Sequence, residues 1–134
     1  MKNVIEKLRY TQLSDDEYKI FVLTYPIFLV AISDGTFDFE EKEFMKNILY
    51  DFLHPLYNNN ISEDQYGFLI ENYLLDFEEL FNSNNYKTDL LLEFAKFDTE
   101  VKLAIFELVN GVANISEGIS EFEKSEIINI KQYI

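Results

Sequence analysis

A chain of 134 residues with 25 acidic against 11 basic side chains carries a formal net charge of −14, so nucleic acid and anionic membrane surfaces are repelled rather than attracted. Its 48% apolar content, with 13 Phe and 9 Tyr, excludes a disordered tail and calls for a core built largely from rings. Cysteine is absent, which removes disulfides, thiolate metal sites and a thiol nucleophile, and fits a reducing, cytoplasmic setting.

The length implies one domain over residues 1–134. No basic segment followed by an apolar stretch and a small-residue cleavage site opens the chain, so no secretory leader is expected. The apolar run at residues 20–32 falls short of the roughly 20 residues a membrane span needs, and it contains Thr24 and Pro26. It reads as a buried core helix.

In chain order, residues 2–10 can form a short helix with Val4, Ile5 and Leu8 on one face. Ser14 and Glu17 have capping-box spacing and should start the long apolar helix, which runs to about Ile32. Pro26 removes one backbone donor, predicting a kink or break near Tyr25. Residues 34–37 form a loop. Asp38 then caps a helix to about His54, with Phe44, Met45, Ile48, Leu49 and Phe52 inward, ended by Pro55 and Asn58–Asn59–Asn60.

Ser62 and Gln65 repeat the capping-box spacing before a stripe of Tyr66, Leu69, Ile70, Tyr73, Leu74, Phe77, Leu80 and Phe81. That stripe reads as core, and Asp76, Glu78 and Glu79 as a solvated face. A helix over residues 86–97 should pack Leu91, Phe94 and Ala95 inward. Asp98 or Thr99 caps the next, whose stripe is Val101, Ala104, Ile105, Leu108, Val112 and Ile115. Ser120 caps a final helix. The expectation is an all-α fold, a compact bundle of six to seven helices.

Two stretches echo each other. Ser33–Asp34–Gly35 aligns with Ser116–Glu117–Gly118, then Phe37–Asp38 with Ile119–Ser120 after one deletion, then Glu41–Lys42 with Glu123–Lys124. Each follows an apolar helix and opens another, which predicts a duplicated helix–loop–helix unit with pseudo-two-fold symmetry.

Two readings of these turns stand open. Asp38 and Ser120 can accept from first-turn amides, while Glu41 and Glu123 reach back to the cap amide, with no ligand at all. Alternatively, Asp34, Asp38, Glu41, Glu117 and Glu123 offer the oxygen ligands that a divalent cation, Ca²⁺ or Mg²⁺, prefers. An EF-hand is excluded, because its first and third loop positions would fall on Val30 and Ile32, which cannot coordinate. His54 is the sole histidine, and no Ser or Cys nucleophile is marked out beside it. Four glycines form no phosphate-cradling loop. The chain is therefore read as non-enzymatic.

The paired motifs resemble the TerB-like family of tellurite-resistance proteins, in which an apolar helix ends in an acidic Asp-Gly turn before a small polar cap and a Glu. The matching residues are Ala31, Asp34, Gly35, Phe37, Asp38 and Glu41, then Ala113, Glu117, Gly118, Ile119, Ser120 and Glu123. Ser33 stands where the family has alanine, and Glu117 where it has the second Asp. The resemblance implies an all-helical module with metal-binding acidic turns, acting with protein partners in chemical-stress or phage-defence systems. The alternative expectation, from charge alone, is an acidic inhibitor of a basic partner: an immunity protein or a nucleic-acid mimic.

Overall fold

The computed structural model describes residues 2, 5–6, 12–83, 86–115 and 119–134. Among them are six α-helices and no strand: α1 (Asp15–Ile32), α2 (Phe39–Tyr57), α3 (Glu63–Ser83), α4 (Lys87–Ala95), α5 (Thr99–Ala113) and α6 (Glu121–Lys131), with a 3₁₀ turn at Asn58–Asn60 between α2 and α3. The expected all-α fold is thus observed. Most of the helix expected over residues 2–10 lies outside the described residues.

Four helices start where local spacing places them. Ser14 and Glu17 close a capping box on α1, each accepting the other's backbone N–H at 3.1 Å. Asp38 and Glu41 do the same on α2, Ser62 and Gln65 on α3, and Ser120 and Glu123 on α6. Each box satisfies two amides that the first helical turn would otherwise leave without partners.

Helix α1 is the hub. Every residue from Ile20 to Ala31 is buried, and α1 contacts each of the other five helices. An apolar helix with no polar stripe has to be wrapped on all sides. The seam with α3 is aromatic: Phe77 stacks on Phe21 and Phe28 with centroids 4.5 and 5.1 Å apart, and Tyr73 meets Phe21 at 5.9 Å. The Tyr73 hydroxyl donates to the Glu17 carbonyl at 2.9 Å, tying α3 to the first turn of α1. Gly111 on α5 lies under the Phe44 ring of α2; a Cβ there would meet Phe44 Cζ at 3.2 Å.

Several sequence expectations are corrected. Pro26 does not break α1, which is helical throughout. A proline removes one backbone bond, and packing against five neighbours holds the remaining ladder. Thr24, the one polar side chain in that buried run, donates to the Ile20 carbonyl at 2.7 Å. Pro55 does not end α2 either; the helix continues to Tyr57, and Asn58 makes the turn with φ +50°.

Asp76 is buried rather than solvated. Phe44, Phe52 and Leu69 are only half-buried, Phe81 is exposed, and Leu53 is a core residue the pattern missed. On α5 the inward face is rotated: Lys102, Ile105, Val109, Val112 and Ala113 are buried, while Val101 and Ala104 are exposed. Lys102 keeps its charge satisfied by donating to the carbonyls of Ala95 and Ile134 at 3.0 and 3.2 Å. Among the described residues, no buried side-chain nitrogen or oxygen lacks a hydrogen-bond partner.

Candidate functional site

The first acidic turn is built by three local devices. Helix α1 closes at Ser33, and Gly35 takes φ +86°, which an L side chain adopts only under strain. Asp34 Oδ1 accepts from the Thr36 amide at 3.0 Å and from its hydroxyl at 2.8 Å, folding the loop back on itself. Phe37 then drops onto Phe28, centroids 5.6 Å apart, and Lys42 Nζ sits 5.8 Å from the centre of the Phe37 ring. Asp38 follows as the cap of α2, its Oδ1 accepting from the Glu41 amide at 2.8 Å.

Glu41 Oε1 accepts from the Asp38 amide at 3.2 Å, and Glu123 Oε1 from the Ser120 amide at 3.0 Å. Of the four capping-box acceptors only these two are buried, at 4% and 6% exposure; Glu17 is half-buried and Gln65 exposed. Burial pushes the Glu41 carboxyl up to about 7; the Asp38 amide opposes that shift, and the charges of Asp38, Asp34 and Glu123 add to it. The smallest of these contributions comes from Glu123, which holds in α6 the third helical position that Glu41 holds in α2.

Of the expected cation ligands, Glu41 and Glu123 are thus brought into electrostatic reach. Asp34 and Asp38 are exposed and hydrogen-bonded within their own turn. Glu117 lies outside the described residues. Among those residues, no three His, Cys, Asp or Glu side chains are grouped to hold a metal ion. What the visible geometry does is cap two helices, each with a buried carboxylate.

A second feature was not anticipated. At the α2–α3 bend, Tyr57, Ile61, Asp64, Gln65, Phe68 and Leu69 line an open pocket of about 440 Å³. Its lining residue Tyr57 joins a ring cluster: Tyr66 stacks with His54 at 5.7 Å, meets Tyr50 at 5.1 Å and faces Tyr57 edge-on at 6.4 Å. The Tyr66 hydroxyl donates to the Asn58 carbonyl and pins the 3₁₀ turn. Burial, then the nearby Glu17 carboxylate, push the Tyr57 phenol up to about 12. Phe68 stands 70% exposed at the rim. The signal was present in the sequence: Phe68 falls between Tyr66 and Leu69, off the core stripe, where a large ring has no inward role.

No protein-family model matches this chain, and neither a curated protein nor a solved structure matches it significantly. Among the described residues, no helix is long and apolar enough to cross a membrane.

Proposed function

We propose that this protein is a non-enzymatic helical interaction module that works by engaging a basic protein partner. The observation that carries the reading is the surface: a net charge of −14 combined with exposed large apolar side chains, including Phe39 and Phe68 at 76% and 70% exposure. Apolar anchors set among acids suit a partner with complementary charge, which steers the encounter while the anchors hold the complex. The expected acidic inhibitor of a basic partner acts in this way; the TerB-like module, the other expectation, shares with it only the reliance on protein partners. Affinity purification followed by reconstitution from purified components tests it. The expected result is a basic partner whose affinity falls steeply between about 0.05 and 0.5 M salt; a partner bound equally at both ends of that range overturns it.

The second reading is a divalent cation at the paired turns, taken as two copies of one helix–loop–helix unit. It is favoured by the buried Glu41, whose carboxyl is pushed up partly by Glu123, because a cation between them would relieve that repulsion. Ca²⁺ or Mg²⁺ titrated against amide NMR shifts is expected to move residues 34–41 and 120–123 first. Shifts spread evenly over the surface would overturn the cation site.

A further inference from the structure

We infer that the pocket at the α2–α3 bend is where the partner docks, and that its occupant is an amphipathic helix presenting a bulky apolar side chain flanked by Lys or Arg. This rests on the interaction-module reading above and names the place and the chemistry of contact. One side of the pocket is held before any partner arrives: its lining residue Tyr57 meets Tyr66 edge-on at 6.4 Å, and the Tyr66 hydroxyl donates to the carbonyl of Asn58, the neighbour of Tyr57. Pre-formed apolar clefts of several hundred Å³ with a few polar groups at the edge are the usual seat of an inserted side chain.

Its edge selects charge. None of the six lining residues is basic, Asp64 lines the pocket, and Glu63 stands beside Asp64 in the same first turn of α3. Along α3, Leu75 is 45% exposed, seven residues and two turns beyond Phe68. The two stand on one face of α3 with Glu71 and Asn72 between them, a span that suits an amphipathic helix rather than a single side chain. A second copy of this chain is disfavoured as the occupant, since two bodies of charge −14 repel each other. A further pocket, about 340 Å³ between α1 and α4, carries both signs: Asp15 pairs with Lys2 and Lys96 with Glu93, each at 3.2 Å. It has no comparable charge preference.

The test uses three synthetic helical peptides of about 15 residues: one with Leu and Lys at amphipathic spacing, one with each Leu replaced by Ser, and one with each Lys replaced by Glu. Amide NMR shifts and titration calorimetry are read on the wild-type protein, on Phe68→Ser and on Phe122→Ser. Circular dichroism confirms that both variants fold; both rings are exposed. The expected result is that the Leu–Lys peptide alone binds, with shifts centred on Tyr57, Ile61, Phe68 and Leu69. Phe68→Ser should weaken it about tenfold and Phe122→Ser should leave it unchanged. If the Ser–Lys peptide binds as tightly, or Phe68→Ser has no effect, the pocket is overturned while the acidic-surface reading stands. If no basic peptide binds, both fall.

Discussion

Glu41 carries two demands at once. Its carboxylate must accept from the Asp38 amide to close the cap, yet it is 4% exposed and faces other carboxylates. Held up at about 7 against an ordinary value of 4.5, it keeps its proton more firmly in the folded protein than in the unfolded chain. Its contribution to stability is therefore full below pH 4.5 and is lost as pH rises through about 7. Glutamine can close the same box without a charge. Glu41→Gln should match the wild type near pH 4 and exceed it near pH 8 by on the order of 1 kcal/mol, allowing for solvent screening at the turn. Urea unfolding across that pH range reads the difference. At the opposite motif, Ser120→Ala removes the acceptor of the Glu123 amide and should cost about 1 kcal/mol by the same assay. Gly35→Ala, at φ +86°, has open space for its methyl but a strained backbone, and should cost about 1 kcal/mol.

Between elements, the seam of α1 and α3 rests on stacked rings. Phe77 is fully buried and touches Phe21 and Phe28, so Phe77→Ala should destabilise by about 3–5 kcal/mol, measured by denaturant melts. This scale also separates what the sequence could show from what it could not. The four capping boxes were legible because each depends on residues three apart in the chain, whatever surrounds them. The face of α5 was not. Its stretch TEVKLAIFELVNGVA is apolar on several sides, so more than one rotation fits the helical period. The choice fell to acceptors elsewhere: the Ala95 and Ile134 carbonyls receive the Lys102 ammonium and let a charged residue turn inward. Asp76 was misplaced for the same kind of reason, since burial of a carboxylate is decided by neighbours distant in sequence. The matching roles of Glu41 and Glu123 were legible as an echo, and the pocket at the α2–α3 bend only as a ring off its stripe.

For the molecule as a whole, charge is the dominant property. An excess of 14 negative charges on 134 residues loads the folded state with self-repulsion, which salt screens over a distance of about 8–10 Å at physiological strength. Thermal melts should therefore shift upward from low salt to about 0.5 M NaCl, the same change that weakens a basic partner's hold. A melting temperature that falls with NaCl would show that the visible ion pairs, such as Lys46–Glu71 at 3.0 Å and Lys87–Glu126 at 2.8 Å, outweigh the repulsion.

Helix α1 precedes in the chain all five helices that enclose it. On the ribosome, the greasiest rod therefore emerges before the five helices that cover it, and Ile130 of α6, a core residue, is translated about a hundred residues later. A nascent chain paused midway would display a sticky surface, and ribosome-associated chaperones should crosslink to residues 20–31 until α6 leaves the tunnel.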